Sequence, residues 1–269
     1  MIKTQTGETI LYSGRQDNHH SSGVAIALTN ETTKTLHEWS PINDRIITAQ
    51  FWSKFVKTTM IQVYAPTNDA DENTKDLFYE QLQRVIDNIP CHDIIILSGD
   101  LNAKLGDKQE GEDGIVGIYG LKSERSNNGE RLTAFCAINN LAITSTIFKH
   151  KDIHKYTWTS PNGQHKNQID HIAINGRFKR SVLDVLAHRG ADVGSDHNLV
   201  ITKIRLKLNK TGRKPTSSTR YETCKHKVPE IRQQFQLQLR NRFSTLSEST
   251  TNDPEDVEQK WCNIKNAYN

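Results

Sequence analysis

Short apolar runs of strand length, separated by polar turns, dominate the N-terminal part of the chain. The runs at residues 23–28, 45–52 and 58–64 predict three consecutive antiparallel strands. Residues 94–97 are three isoleucines and a leucine, and a run that is apolar on both faces is typical of a strand in the middle of a sheet. The pattern therefore predicts a sheet with one fully buried central strand.

Helical periodicity interrupts these strands twice. Apolar residues recur at helical spacing after Asn73-Thr74, which is the predicted cap, and Pro90 closes the helix. The apolar face of that helix consists of Phe78, Leu82, Val85 and Ile86. A second amphipathic helix is predicted over residues 129–139, and the loop at 107–128 before it has a length that indicates functional or mobile surface.

Four further strands are predicted before the composition changes. They cover residues 141–146, 156–159, 168–174 and 199–206. Because strands and helices are interleaved, with hairpins among them, we predict a two-sheet α/β sandwich and not a purely parallel, doubly wound sheet. A polar linker at residues 210–218 follows, so this domain is expected to span residues 1–208.

Residues 209–269 form a second region with a different charge. This region has 11 Lys and Arg against 7 Asp and Glu, whereas residues 1–208 contain 24 of each. Two amphipathic helices are predicted, one opening at Pro229 and the other at residues 253–256. A basic segment is either a polyanion-binding surface, with Lys210, Arg213 and Lys214 as candidate contacts, or a solvated linker, and both readings stay open.

Overall composition predicts no membrane span. Mean hydropathy is −0.68, and the longest apolar runs are too short to span a bilayer. The N-terminus has no apolar segment of the secretory type, and the four cysteines are scattered without a Cys-x-x-Cys pair. We therefore expect free thiols, no membrane partner and an intracellular location, nuclear or cytoplasmic.

The central strand ends in a candidate site. Gly99 lets the chain turn there, and Asp100 and Asn102, two residues apart, are expected to project in the same direction because side chains alternate along an extended chain. The alternative is an Asp turn in which the Asn bonds its own backbone. The sequence of this segment leaves both readings open.

Two Asp-His pairs lie at other predicted strand edges. Asp170 precedes His171, and Asp196 precedes His197. Neighbours on an extended strand face opposite sides, so a carboxylate must orient a histidine from another pair, and Asp170 is expected to orient His197. An imidazole held by a carboxylate, beside acids that accept a divalent cation, is what phosphate-ester hydrolysis requires. A single Asp-His pair is more often surface polarity.

Four motifs in this order carry a family resemblance. They are Val63-Tyr64-Ala65-Pro66, Ser98-Gly99-Asp100-Leu101-Asn102, Gln168-Ile169-Asp170-His171 and Gly194-Ser195-Asp196-His197. The chain resembles the endonuclease/exonuclease/phosphatase superfamily, which includes abasic-site endonucleases and the nicking domains of non-LTR retrotransposons. Residues 127–132, 156–161 and 167–171 are similar to RTE-type retrotransposon endonucleases and craniofacial development protein 2-like sequences. The resemblance covers about residues 8–208, and the tail is similar to a connector toward a reverse transcriptase.

The resemblance implies a role for each candidate residue. Asp100 orients or deprotonates the attacking water, Asn102 positions the phosphate, His197 stabilises the pentavalent phosphorus, Asp170 orients His197, Tyr64 hydrogen-bonds the scissile phosphate, and Asp196 contacts the metal. Arg45 and Trp158 are implied nucleic-acid contacts, although a surface ion pair and a core position are the simpler readings. The implied cofactor is Mg²⁺ or Mn²⁺, and the implied partners are DNA and a reverse transcriptase domain.

One departure from the family concerns the metal. The family carries an Asn and then a metal-binding Glu on two strands upstream of the strand at 23–28, where this chain offers only Glu8 and Asp17 as acids, in another context. We therefore expect an N-terminally incomplete domain, from a truncated gene model or a decayed copy, that binds metal weakly. This leaves open whether the chain is an active endonuclease, an inactive nucleic-acid or partner-binding remnant, or a phosphomonoesterase or phospholipase of the same superfamily.

Overall fold

A computed structural model describes residues 1–15, 17, 22–53, 56–190, 194–206 and 228–248. The chain divides into two compact units, residues 1–210 and 211–269. In the second unit the described structure is helix α4, and the predicted linker, the helix at 253–256, and Lys210, Arg213 and Lys214 lie outside the described residues. No helix in the described part of the chain has the length and apolar character needed to cross a membrane.

The described residues of the first unit form thirteen strands and three α-helices. The strands are β1 (Ile2–Lys3), β2 (Thr9–Gly14), β3 (Gly23–Leu28), β4 (Leu36–Pro41), β5 (Ile46–Phe51), β6 (Thr58–Tyr64), β7 (Ile94–Asp100), β8 (Leu141–Ile143), β9 (Trp158–Thr159), β10 (Lys166–Asn167), β11 (Asp170–Asn175), β12 (Val182–His188) and β13 (Leu199–Ile204). The helices are α1 (Asn30–Thr33), α2 (Glu72–Asp87) and α3 (Asn127–Ile138), and α4 (Pro229–Glu248) belongs to the second unit.

A six-stranded sheet in the order β4-β5-β6-β7-β11-β8 forms the middle of the domain. β6 and β7 are parallel, and the other neighbours are antiparallel. One face packs on α2 and α3 through residues such as Ile46 and Leu97, while Ile47 faces the opposite side and packs on β2 and β3. The pair β12-β13 covers the rest of that side. The predicted α/β sandwich is confirmed.

Helix α2 forms because its apolar residues share one face. All four predicted face residues, from Phe78 to Ile86, are buried against the sheet. The cap is Asp71, whose side chain accepts the Thr74 amide, and not the predicted Asn73-Thr74. An Asp at this position satisfies a free amide of the first turn and places a negative charge at the positive end of the helix.

Several strand predictions need correction. β3 pairs with β2 in a separate sheet and not with β5, so the three first runs are not consecutive antiparallel neighbours. Strand β4 has too polar a sequence to show alternation, and β12 contains a register shift that breaks it. Residues 144–146, predicted as strand, form a 3-10 turn after β8.

The predicted loop at 107–128 is held against the domain. The Arg125 guanidinium pairs with Glu112, and both side chains are about nine-tenths buried. Val116 forms an isolated bridge with Ile143, and Ser126 caps α3, which starts two residues before its predicted beginning. The loop therefore forms part of the packed structure beside the sheet edge.

Candidate active site

Three strands of the central sheet bring polar side chains to one edge. β6 ends at Tyr64, β7 ends at Asp100 and β11 begins at Asp170. Asp100 is the register partner of both Tyr64 and Asp170. Because register partners on neighbouring strands project on the same face, the three side chains lie side by side, with Asp100 in the middle.

Asp100 and Asn102 converge through a turn. Asn102 has a left-handed backbone with φ of 47°, its main-chain amide donates to Asp100 Oδ1 at 2.9 Å, and its Nδ2 donates to Asp100 Oδ2 at 3.3 Å. The expectation that strand alternation aligns them was wrong, because the chain is no longer extended there. Asn102 Nδ2 also donates to the Ala65 carbonyl at 3.0 Å, so its amide hydrogens hold the Asp100 turn in place.

Asn128 supports this turn and was missed by the sequence reasoning. Its Nδ2 donates to the carbonyl oxygens of Pro66, at 2.9 Å, and Asn102, at 3.1 Å. The side chain is almost completely buried at the start of α3. The only sequence signal was its place in the 127–132 motif. Asn128 therefore joins the loops that follow β6 and β7.

Asp170 and His197 form the second pair of the site. His197 Nδ1 donates to Asp170 Oδ2 at 3.0 Å, and the two side chains are 31% and 18% exposed. Nδ1 is the nitrogen that Asp170 engages, and no group in the described part of the chain hydrogen-bonds His197 Nε2. The imidazole thus presents Nε2 away from the carboxylate that orients it.

The segment that carries His197 is fastened to β9. The Asn198 amide donates to the Thr157 carbonyl at 2.7 Å, and the Thr159 amide donates to the Asp196 carbonyl at 3.0 Å. The Thr157 hydroxyl accepts the main-chain amides of Ile169 and Asp170 at 3.0 and 3.1 Å. Thr157 therefore fixes both sides of the Asp170–His197 pair, and its only sequence signal was its place in the 156–161 motif.

Trp158 and Asp196 contact each other directly. The indole Nε1 donates to Asp196 Oδ2 at 2.8 Å, and Trp158 forms an isolated bridge with His197. The Trp158 side chain is half-buried and Asp196 is exposed. The structure thus places the expected nucleic-acid contact and the expected metal ligand next to each other.

Asp100 and His197 both have raised pKa values. Burial, with the Asp170 charge as the next cause, raises the pKa of Asp100 to about 6. The hydrogen bond with Asp170 raises the pKa of His197. Asp100 therefore accepts a proton more readily than an ordinary carboxylate, and His197 holds its proton more tightly than an ordinary imidazole.

Arg45 stacks on Tyr64 at the same edge. The Arg45 guanidinium carbon lies 5.1 Å from the Tyr64 ring centroid, and its Nη1 donates to the Tyr64 carbonyl at 3.2 Å. A cation over an aromatic face is restrained in position. The pair therefore places a restrained positive charge at the end of β6.

His171 has no place in the site. Its ring is completely buried, with Nδ1 2.8 Å from the Ser145 hydroxyl and Nε2 2.8 Å from the Ala103 carbonyl oxygen. Burial lowers its pKa, so it is neutral, with Nε2 as donor. Of the two Asp-His motifs, one histidine therefore holds the fold and the other faces the site.

The described residues do not provide a complete divalent-cation site. No group of three or more His, Cys, Asp or Glu side chains in the described ranges could hold a metal ion. Asp196 Oδ2 already accepts a hydrogen bond from Trp158, and Asp170 Oδ2 accepts one from His197. Glu8 accepts hydrogen bonds from Thr4 and Thr6 in its own turn, and Asp17 pairs with Arg15.

Comparison with known proteins identifies the fold. No protein-family model matches the chain. Craniofacial development protein 2 of Bos taurus is 40% identical over 199 residues, which are 74% of this chain and 33% of that protein. The chain thus spans about a third of the length of the curated relative it matches.

Solved structures superpose on most of the chain. The endonuclease domain of TRAS1, a telomere-specific non-LTR retrotransposon, gives a TM-score of 0.54 at 16% identity and covers 75% of this chain and 81% of that one. An endonuclease/exonuclease/phosphatase family protein from Leptotrichia buccalis C-1013-b gives 0.52 at 15% identity, covering 76% and 73%. The chain has the endonuclease/exonuclease/phosphatase fold.

In this endonuclease/exonuclease/phosphatase fold the four motifs that carry the resemblance meet at one sheet edge. Tyr64 and Asp100 end parallel strands, Asp170 opens the neighbouring strand, and His197 is bonded to Asp170. The catalytic and metal-binding roles of these residues stay predictions.

Proposed function

We propose that this chain contains a phosphodiester-hydrolysing domain of the endonuclease type whose substrate is DNA. The observation that carries the proposal is the hydrogen-bonded Asp170–His197 pair beside Asp100. The pKa values of both Asp100 and His197 are raised. Similarity to the TRAS1 endonuclease domain and to craniofacial development protein 2 supports the same class.

Asp100 and His197 suit two separate roles in phosphate-ester hydrolysis. Asp100, with a pKa of about 6, accepts the proton of a water that attacks the phosphorus. His197, held through Nδ1 by Asp170, donates from Nε2 to a phosphoryl oxygen as negative charge develops there. The new bond to phosphorus forms while the bond to the leaving oxygen of the DNA strand breaks, and that oxygen takes its proton from solvent water.

The family resemblance implies Mg²⁺ or Mn²⁺, which would neutralise phosphate charge. The described residues supply fewer than three ligands in any one group. We propose that Asp196 is the main carboxylate available to the cation and that binding is weak, since oxygen-ligand sites gain affinity from ligand number and charge. Nuclease activity of the chain is therefore proposed to be low.

An alternative function is binding without catalysis. The missing three-ligand group in the described ranges favours an inactive module that holds DNA or a protein partner. The basic region 209–269 would add non-specific affinity and, in a longer polypeptide, would lead toward a reverse transcriptase domain. A phosphomonoesterase of the same superfamily is a further candidate.

One experiment separates these functions. Two substrates, a 5′-labelled duplex and a duplex with a 3′-phosphate, are incubated with the purified chain and Mg²⁺ or Mn²⁺. The 5′-labelled duplex is also incubated without metal as a control. Internal cuts that require metal support the endonuclease, and release of phosphate alone supports the phosphomonoesterase. Binding with no reaction at any metal concentration supports the inactive module.

A further inference from the structure

Charge is distributed unevenly around the candidate site. Residues 149–167 contain four lysines and three histidines against a single acidic residue, Asp152, whereas residues 1–208 as a whole are balanced. This stretch includes Thr157 and Trp158, which hold the Asp170–His197 pair. A basic stretch of the first unit therefore runs directly into the site.

Residues 149–155, termed here the basic segment, are fixed at both ends. His150 Nε2 lies 2.7 Å from Asp184 Oδ1 on β12. At the other end, Lys155 Nζ donates to Asp152 Oδ1 at 3.0 Å and to the Gly120 carbonyl at 3.4 Å. These contacts tie the segment to β12 and to the chain at Gly120.

The side chains between these anchors face outward. Lys149, Lys151 and His154 are exposed, and no carboxylate in the described part of the chain pairs with Lys149 or Lys151. His154 and Lys155 line the same crevice as Asp170. The segment thus carries unpaired positive charge at Lys149 and Lys151, a few residues before the two that line this crevice. Such charge suits a polyanion that extends from the site along the segment.

We propose that the basic segment binds the phosphate backbone of the DNA strand flanking the phosphate at the Asp100–His197 site. The proposal rests on the proposed function, because it takes its ligand from that function. It differs from the expectation drawn from sequence, in which non-specific affinity lies in residues 209–269. Phosphate contacts release counterions, so each contact contributes about 0.9 to the slope of log affinity against log salt for duplex DNA.

The test is a salt titration of a fluorescent duplex with the full chain in EDTA, so that no cleavage is needed. The double variant Lys149→Ala/Lys151→Ala should flatten the slope by about 1.8, the value for two lost phosphate contacts. Lys149→Arg/Lys151→Arg should keep the wild-type slope, because the charges remain. Thermal melting of each variant reports that it is folded.

A matched control removes two charges elsewhere. Lys34 follows α1 and Arg180 follows β11, both at the sheet end opposite Asp100, and both are exposed. Lys34→Ala/Arg180→Ala should leave the slope unchanged. Three results would each overturn the proposal. They are equal flattening of the slope by both alanine pairs, an unchanged slope for the Lys149/Lys151 pair, and a wild-type chain whose binding does not depend on salt. If the chain binds DNA through the basic segment but cuts none, the binding proposal is supported and the proposed nuclease function is overturned.

Discussion

Thr157 and Asp170 are joined by a hydrogen bond of 3.1 Å from the Asp170 amide to the Thr157 hydroxyl. The same hydroxyl accepts the Ile169 amide, and the Thr157 carbonyl accepts the Asn198 amide. One buried residue therefore connects the strand that carries Asp170, through its hydroxyl, with the segment that carries His197, through its carbonyl. The geometry of the pair depends on a residue outside it.

Thr157→Val should loosen the Asp170 end of this connection. The change keeps the shape of the side chain but leaves two amides without their acceptor, and each unsatisfied buried group costs about 1–3 kcal/mol. Amide hydrogen exchange at Ile169 and Asp170 should accelerate at least tenfold, while Thr157→Ser should exchange like the wild type. Unchanged protection in the valine variant would show that the hydroxyl does not hold Asp170.

Gly99 is expected to tolerate no side chain. Its φ is +137°, and a Cβ would lie 1.9 Å from the Val63 carbonyl oxygen on the neighbouring strand. Gly99→Ala should lower the free energy of unfolding by roughly 3 kcal/mol or prevent folding. Gly111→Ala is the matched control, since its φ is +83° with open space around it, and should cost only about 1 kcal/mol. Similar urea midpoints for both variants would contradict this reading of the strand end.

The charge of Asp100 should destabilise the metal-free fold. Its pKa is raised from 3.8 to about 6, so the folded state holds a proton more tightly than the unfolded state. Stability from this group therefore falls as the pH rises from about 4 to 6 and stays low above pH 6. Asp100→Asn should raise the free energy of unfolding at pH 7.5 by about 1–3 kcal/mol in EDTA. The gain should shrink between pH 6 and 4. A loss of stability at pH 7.5 would mean that the carboxylate stabilises its surroundings.

His171 should give the opposite pH dependence. Its folded pKa lies below the ordinary 6.5, so the unfolded state binds a proton first and stability falls as the pH drops below about 6.5. The slope from this group is at most about 1.4 kcal/mol per pH unit. His171→Gln keeps a donor for the Ala103 carbonyl and should lose this slope between pH 6.5 and 5. Parallel stability curves for the two proteins would count against a neutral, buried His171.

The sequence predicts those parts of the fold that local pattern determines. The buried run of β7, the apolar face of α2 and the period of β6 are all in place because burial and periodicity are local properties. The pairing of β3 with β2 was missed because the choice of a partner strand depends on packing between distant segments. Strand β12 was missed because a bulge interrupts its alternation.

The same distinction between local and long-range features applies to the candidate site. Asp100, Asn102, Asp170 and His197 could be named because strand ends and short motifs mark them, and the structure brings all four together. Thr157 and Asn128 could not, since their importance lies in hydrogen bonds to main-chain atoms between 12 and 62 residues away. Hydrogen bonds between residues so far apart in the sequence cannot be predicted from local pattern, and only the folded structure shows them.

The measurement that tests the central claim most directly is the nicking of supercoiled plasmid by the full chain across a Mg²⁺ series. We expect slow nicking that keeps rising through the millimolar range without a plateau, because few carboxylates hold the cation. His197→Ala should lower the rate by about 10²–10³-fold at unchanged DNA affinity, since a donor to the transition state acts on the barrier. His37→Ala, an exposed histidine on β4, should leave the rate unchanged. Nicking that survives in His197→Ala, or a wild-type chain that cuts no plasmid at any metal concentration, would contradict the account.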